Sequence, residues 1–278
     1  MYNLLFIGDS NVYIFNYFRK FGAKIVKFKG APIKGLVNKN DNYRALISNI
    51  KRFKPDHIFL IFGVVDLNFY YYFKKYKENK KNIFEDIKTY VKDYVKMVSE
   101  LDVKNKYILG ILPSPIKDKY FRDTLVGYGI LTEEEVKNVT DDDIMMVNRN
   151  KRIEQVNNIL KTECEKYNIN FCDIFPFTTK KYKLRKLFSL GTYSRLNIHH
   201  RYEYLLIIFI NSCLSFLTKD KDMNIIINDL EKIFNDYITD RIYDKEELTK
   251  EEKDELYEKT KFDKEKIINF INKKLINN

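Results

Sequence analysis

The stretch Phe6-Ile7-Gly8-Asp9-Ser10-Asn11 decides the predicted fold. It closes a short apolar run that begins at Leu4, and the residues after it repeat apolar positions at helical spacing as far as Gly22. A buried strand that passes through glycine into a helix is typical of a parallel sheet. Ser10 then stands at the carboxyl end of the first strand, where ligands bind in open α/β sheets.

The same alternation of strand and helix continues over the first two-thirds of the chain. Further strands are predicted over residues 24–28, 58–62, 107–112 and 169–174, and helices over 43–53, 83–101, 153–167 and 201–217. Strands that alternate with helices indicate a parallel sheet covered on both faces. We therefore predict a three-layer α/β/α sandwich with a parallel five-stranded sheet of the flavodoxin-like kind.

Two segments fall outside that alternation. Residues 117–150 form a longer connection than a strand and a helix require, so they are either a lid over the site or a surface excursion. Residues 219–278 are charged and helically periodic, without strand signals. The predicted organisation is an α/β domain over 1–218 and a helical C-terminal extension over 219–278.

Charge is unevenly distributed along the chain, whose formal net charge is +11. Residues 1–218 hold 37 Lys and Arg against 23 Asp and Glu, a net charge of +14, whereas the extension carries −3. A basic domain favours an anionic partner, such as nucleic acid, an anionic glycan, a phosphorylated substrate or a membrane surface. The alternative is a lysine-rich solvated surface.

Several classes of protein are disfavoured by what the sequence contains. Cys164, Cys172 and Cys213 are widely spaced and form no paired motif, so we expect neither a zinc site nor a disulfide framework. The apolar run over residues 204–217 is too short and too interrupted for a membrane span. Without a recognisable signal peptide either, we expect a soluble cytoplasmic protein that does not bind membranes.

Ser10 is the first residue that could carry chemistry. Backbone N–H groups at a helix start favour negative charge near its hydroxyl, although the serine could equally cap the helix. A serine needs a base, and histidine suits neutral pH. His57 at a strand start favours a structural role, whereas His199 and His200 precede the last helix of the domain and could reach Ser10 or form an exposed turn.

A second motif suggests a different function. The run Tyr70-Tyr71-Tyr72-Phe73-Lys74-Lys75-Tyr76 interleaves aromatic and basic residues, a pattern that can stack bases and follow phosphates. The alternative is that these aromatic side chains belong to a pocket wall and the core.

Four motifs in order resemble those of the SGNH/GDSL hydrolases. Gly8-Asp9-Ser10 resembles block I, Gly30 is similar to the glycine of block II, and Gly63-Val64-Val65-Asp66 follows the outline Gly-x-Asn-Asp of block III. The pair His199-His200 lies where block V, Asp-x-x-His, closes the site. The agreement extends over residues 1–217.

The resemblance implies a serine hydrolase fold and site. Ser10 would be the nucleophile, and either His199, which follows an apolar residue as in the family, or His200 would be the base. The backbone N–H groups of Ser10 and Gly30 would bind the oxyanion, without a metal or other cofactor. The resemblance assigns the remaining oxyanion and substrate contacts to Asp9, Asn11, Gly63, Asp66 and Asn68.

The sequence departs from the family pattern at two positions. Val65 replaces the block III asparagine, a loss that typically costs about 10²–10³ in turnover, and Asn68 is the nearest substitute. The block V aspartate is Leu196 or Asn197, depending on the histidine. Asp173 or Glu203 could orient the ring instead. The chain is therefore either a Ser-His enzyme or a member that has lost catalysis.

By analogy with the family, we expect an esterase, deacetylase or O-acyltransferase. It would act on a polar, carbohydrate ester through an acyl-Ser10 intermediate. The alternatives are a non-catalytic binding or assembly module and, third, a nucleic-acid-binding protein.

Overall fold

Residues 4–172 contain a parallel five-stranded sheet, as predicted. The computed structural model describes residues 3–189, 201–218, 223–243 and 249–273. Within them, the strands are β1 (Leu4–Gly8), β2 (Lys24–Lys27), β3 (His57–Ile61), β4 (Asn105–Leu109) and β5 (Asn170–Cys172). Their order in the sheet is β2-β1-β3-β4-β5, which confirms the predicted fold class.

Helices fill the connections between these strands and follow β5. The α-helices are α1 (Ile33–Val37), α2 (Asp41–Phe53), α3 (Ile83–Ser99), α4 (Asp118–Gly127), α5 (Asp141–Ile144), α6 (Met146–Lys166) and α7 (Phe175–Thr178). The 3₁₀ segments are Ser10–Phe21, Glu135–Asn138, Lys186–Phe188 and Ser215–Thr218, and the π-helical turns are Asp66–Tyr70 and Phe73–Lys77. A small hairpin joins β6 (Thr179–Lys180) to β7 (Lys183–Leu184). Helix α3 packs against α1 and α6.

Aromatic rings lie side by side across the middle of the sheet. Phe6 is the register partner of Phe59, and Phe59 is the partner of Tyr107. Their ring centroids are 4.4 Å and 4.5 Å apart, and Phe15 from the 3₁₀ segment stacks on Phe6 at 4.6 Å. Such pairs contribute about 0.5–1.5 kcal/mol each beyond the area they bury, so the ladder stabilises the register of β1, β3 and β4.

Helix α6 begins at Met146, seven residues before the start at residue 153 that the apolar pattern predicted. Its first turns point polar side chains inward, and both Arg149 and Asn150 are buried. Arg149 donates to the Ile144 carbonyl at 2.9 Å, and Asn150 accepts the Ser114 N–H at 2.7 Å. Because the buried face is polar here, hydrophobic periodicity does not show the helix start.

The 117–150 segment folds into short helices that pack on the π-helical turns. The Tyr72 hydroxyl donates to the Asp143 carbonyl at 2.5 Å, and the Asp143 carboxylate accepts from Arg152 at 3.2 Å and also from Lys75 and Tyr76. Burial raises the pKa of Asp143, but the bonds from Lys75 and Tyr76 outweigh it and leave that pKa below its usual value. Asp143 thus connects the segment to the turns after β3.

The second unit of the chain is helical. The chain divides into the compact units Met1–Tyr202 and Glu203–Asn278. The second contains α8 (Tyr202–Ser212) from Glu203 onward, α9 (Met223–Tyr243), α10 (Lys250–Thr260) and α11 (Lys264–Ile271). Within it, the Tyr204 hydroxyl accepts the Asp263 N–H at 2.6 Å. The boundary at residue 218 stays a prediction.

None of the described helices combines the length and apolar character that crossing a bilayer requires.

Replacement of Asp143 by asparagine should weaken the first unit, because it removes the charge that faces Lys75 and Arg152 in a side chain that is only 10% exposed. We expect Asp143→Asn to lower the free energy of unfolding by about 2–3 kcal/mol. Urea unfolding followed by circular dichroism measures the change.

Asp141→Asn is the matched control, since its partner is Arg122 and its side chain is 88% exposed. An exposed pair contributes less than about 1 kcal/mol. Equal losses in the two variants would contradict the role assigned to Asp143.

Candidate active site

The carboxyl ends of β1 and β3 lie at the switch point of the sheet, where open α/β folds have their ligand-binding crevice. Strand β1 has β2 on one side and β3 on the other. The chain leaves β1 towards β2 and leaves β3 towards β4, in opposite directions, so the two connections lie on opposite faces of the sheet. Gly8, the last residue of β1, is paired with Ile61 at the end of β3. The stretches that begin at Gly8 and Gly63 therefore leave the sheet side by side.

Ser10 is the accessible member of the first stretch. It is partly exposed, whereas Asp9 is 1% exposed and Asn11 is 2% exposed. The Asp9 carboxylate accepts the Asn11 backbone N–H at 2.9 Å and the Asn11 side-chain amide at 2.8 Å. Asp9 thus caps the 3₁₀ segment, so the capping role that the sequence left open for Ser10 is filled by its neighbour.

Asp66 connects the end of β3 with the loop that contains Gly30. Its carboxylate accepts the Ile33 N–H at 2.9 Å and the Tyr90 hydroxyl at 2.9 Å, and it also bonds the backbone of Lys34. Since Ile33 follows Gly30 by three residues, Asp66 fixes where the Gly30 loop turns into α1. Tyr90 is a buried residue of α3, and the apolar spacing of that helix gives no sign that the Tyr90 hydroxyl bonds a carboxylate.

Asp9 and Asp66 are two buried carboxyl groups at the base of this crevice. Burial raises the pKa of each to about 6, and the charge of Asp66 adds to the rise at Asp9. One oxygen of Asp9 is buried without a hydrogen-bond partner among the described residues. Ionisation of both buried carboxyl groups therefore lowers the stability of the fold, and protonation of one of them near pH 6 recovers part of that stability.

Asn68 is buried and occupied within its own turn. Its amide N–H donates to the Val64 carbonyl at 3.1 Å, while its side-chain oxygen has no partner among the described residues. Val65, at the position of the family asparagine, is partly exposed and offers no side-chain donor. No hydrogen bond of Asn68 in the described part of the chain extends towards Ser10 or Gly30.

Gly63 and Gly30 both adopt backbone conformations that favour glycine. Gly63 has φ +110°, and a Cβ built there would overlap the Ile111 side chain. Gly30 has φ +64° and open space around the Cβ position. Glycine is therefore required at position 63 for two reasons: its backbone conformation has a positive φ, and a side chain would overlap Ile111.

The two candidate bases, His199 and His200, lie outside the described residues. Tyr202, two positions after His200, donates its hydroxyl to the Ser10 carbonyl at 3.2 Å. His57 lies at the opposite, amino end of β3, where its ring stacks on Tyr107 at 5.8 Å and burial lowers its pKa.

Asp173 and Glu203 were the suggested orienting carboxylates. Asp173 accepts the Phe175 N–H at 2.9 Å and the Asn157 amide at 3.3 Å, and burial raises its pKa to about 6. Glu203 is buried in the second unit. Among the described residues, no group of three or more His, Cys, Asp and Glu side chains is arranged to hold a metal ion.

The comparison with protein families agrees with this geometry. The family model described as GDSL-like lipase/acylhydrolase matches residues 4–188, which is more than half of the chain and contains Ser10, Gly30 and Gly63. The chain belongs to this family. Membership supports hydrolysis of an ester of a small molecule. In this GDSL-like hydrolase, two of the motifs that suggested the resemblance lie at the ends of β1 and β3.

Solved structures give remote similarities. A gut microbial diltiazem-metabolizing enzyme has a TM-score of 0.45 at 14% identity, over 75% of this chain and 46% of that one, so the hydrolase covers less than half of that enzyme. A catalytic mutant of an acetylxylan esterase from Geobacillus stearothermophilus gives 0.45 at 14%, over 75% and 92%. An extracellular lipase from Streptomyces rimosus gives 0.43 at 10%, over 76% and 100%. No curated protein matches the chain.

Gly63→Ala should destabilise the hydrolase strongly, because the new Cβ meets Ile111 in addition to the strained φ of +110°. Gly129→Ala is the control, with φ +67° and open space at the Cβ. We expect about 1–2 kcal/mol for the control and about 2–5 kcal/mol for Gly63→Ala. The free energy of unfolding in urea measures both, and similar losses would show that contact with Ile111 costs nothing.

The buried carboxyl group of Asp9 predicts a pH-dependent stability. Because its pKa is about 6 in the folded chain and about 4 when unfolded, the folded state binds the proton first. The free energy of unfolding should therefore rise as pH falls below about 7, by about 1.3 kcal/mol from Asp9 at pH 5 and by about 2–3 kcal/mol between about pH 4 and pH 3.

Asp9→Asn keeps an oxygen for the two bonds from Asn11 and removes the titration. Urea unfolding at several pH values should give a flatter profile for this variant than for the wild type, in which Asp66 and Asp173 also contribute. Asp93→Asn, which removes an exposed carboxylate from α3, controls for net charge. Identical profiles for Asp9→Asn and the wild type would exclude Asp9 as a source of the dependence.

Proposed function

We infer that this GDSL-like hydrolase cleaves a polar, carbohydrate ester, or transfers its acyl group, through an acyl-Ser10 intermediate. The observation that carries the proposal is the position of Ser10. It is partly exposed at the end of β1, between two buried neighbours and beside the stretch that follows β3. A serine there can meet a ligand in the crevice while Asp9 and Asn11 keep its backbone fixed.

In the proposed reaction a histidine takes the proton from the Ser10 hydroxyl as its oxygen attacks the ester carbonyl carbon. The tetrahedral intermediate collapses, the C–O bond to the alcohol breaks, and the histidine returns the proton to the leaving oxygen. Water, or a second hydroxyl in a transferase, then gives a proton to the histidine as it attacks the carbonyl carbon of acyl-Ser10. The bond between that carbon and the Ser10 oxygen breaks, and the histidine returns the proton to Ser10. His199 and His200 are the candidates, and the bond from Tyr202 to the Ser10 carbonyl supports them by holding the chain after this pair next to the serine.

The negative charge on the intermediate would be stabilised by the backbone N–H groups of Ser10 and Gly30. Asp66 supports this arrangement as a positioning residue, because it holds the Ile33 N–H just beyond Gly30. Val65 contributes no side-chain donor, and the amide of Asn68 already bonds the Val64 carbonyl. We therefore expect turnover below that of a site with a third donor, by about 10²–10³.

The second candidate is a binding or assembly module without catalysis. Val65 and the absence of an aspartate three residues before either histidine favour it. Nucleic-acid binding through the aromatic run finds less support, because Tyr71 is 6% exposed and Tyr72 is fully buried. Neither ring is free to stack on a base.

Covalent labelling by a fluorophosphonate tests the proposed nucleophile. The wild type should be labelled at Ser10 and should release 4-nitrophenol from 4-nitrophenyl acetate, because both need an activated serine. Ser10→Ala should lose both signals. His199→Ala or His200→Ala, whichever removes the base, should lower both by about 10²-fold or more.

Ser48→Ala is the control, since Ser48 is an exposed serine on α2, and it should label like the wild type. A folded wild-type protein that takes up no label would contradict serine catalysis. It would favour the binding module.

A further inference from the structure

Positive charge is concentrated in the segment that borders the active-site crevice. Between Asp9 and Asp41 the chain has seven Lys and Arg residues and not a single Asp or Glu. This segment supplies the 3₁₀ helix after β1, the edge strand β2 and helix α1. An entire edge of the sheet is therefore cationic without acidic residues of its own.

Three of these lysines lie at the end of β2 that faces the crevice. Lys27 is the last residue of β2, Lys29 directly precedes Gly30, and Lys34 lies in the first turn of α1 beside the Ile33 N–H that Asp66 accepts. Lys27 and Lys29 are exposed, and Lys34 is partly exposed. We call these three residues the lysine rim.

The lysine rim carries charge that the described part of the chain does not neutralise. No carboxylate in that part forms an ion pair with the rim, whereas Lys74, nearby on the π-helical turns, pairs with Glu78 at 2.5 Å. Aromatic rings lie under two rim lysines instead. The Lys27 ammonium is 4.9 Å from the Tyr13 ring centroid, and Lys34 is 5.8 Å from the Tyr70 ring.

A cation above an aromatic face keeps its N–H groups available for an anion. The ring restricts where the ammonium group lies, while the attraction to the ring is weak, about 0.5–1 kcal/mol at exposed sites. Asp9 and Asp66 would repel an anion, but both are buried and accept bonds from their own neighbours. The accessible charge is therefore positive, because the three ammonium groups are exposed or partly exposed and the two carboxyl groups are buried.

We propose that the lysine rim selects ester substrates that carry an anionic group, a carboxylate, sulfate or phosphate, close to the ester that Ser10 attacks. The inference rests on the proposed function and specifies its substrate class. Clefts lined by one sign of charge raise the local concentration and association rate of oppositely charged ligands by about 10–10³. Ammonium groups bind carboxylate and phosphate oxygens through charge-assisted hydrogen bonds.

Matched substrates test the proposal. Mono-acetylated methyl glucuronosides and methyl glucosides differ only in a carboxylate against a hydroxymethyl group, and the corresponding 6-sulfates and 6-phosphates of the glucoside identify the preferred anion. We expect kcat/KM to be about tenfold or more higher for at least one anionic substrate. The preference should decline between about 0.01 M and about 1 M ionic strength, where the screening length falls from about 30 Å to about 3 Å.

Glutamine at all three rim positions should remove the preference. In the triple variant Lys27→Gln, Lys29→Gln and Lys34→Gln, the ratio of anionic to neutral kcat/KM should fall to about one. Lys24→Gln is the matched control, because Lys24 begins the same strand at its opposite end and lies 5.0 Å from the Phe53 ring. It should keep the wild-type ratio, and a triple variant that also keeps it would overturn the proposal.

Calorimetric binding to Ser10→Ala separates this proposal from the proposed function, because that variant cannot turn over. Tighter binding of an anionic ester than of the neutral one, abolished in the triple rim variant, supports the lysine rim whether or not the wild type is active. Equal or undetectable binding of all the esters would overturn it. If the anionic ester binds preferentially but the wild type takes up no fluorophosphonate, the result would support the role of the lysine rim and contradict serine catalysis.

Discussion

The parallel pairing of β1 with β3 is the constraint on which the rest of the first unit depends. Gly8 lies opposite Ile61, and the ring of Phe6 stacks on Phe59 in the same register. A shift by one residue would move these side chains to the opposite face of the sheet. The pairing brings the ends of two distant strands together, so residues after Gly8 and after Gly63 can form one site.

Asp66 holds the chain segments around the site in place through hydrogen bonds. Its carboxylate bonds Tyr90 on α3 and Ile33 on α1, so the stretch after β3, a helix on the sheet and the loop after β2 are joined by one buried group. The same burial raises its pKa and that of Asp9 to about 6. The carboxyl group that positions the Gly30 loop thus has a shifted pKa, and such groups are concentrated at functional sites.

The negative groups of this site are buried and its positive groups are exposed. The two buried carboxyl groups accept hydrogen bonds that fix the backbone around them, while the exposed positive charge lies on the edge formed by β2 and α1. A family defined by ester hydrolysis leaves the substrate open. The edge around Gly30 carries the exposed lysines to which we assign substrate selection.

The sequence by itself determined the alternation of strand and helix, the position of Ser10 after β1 and the family resemblance, because burial periodicity and glycine-bounded strand ends are local. It could not show that Asp9 rather than Ser10 caps the first helical segment, or that α6 begins where Arg149 faces inward. Nor could it show that Asp66 bonds Ile33. Only the tertiary structure decided these, because each depends on buried polar partners from distant parts of the chain.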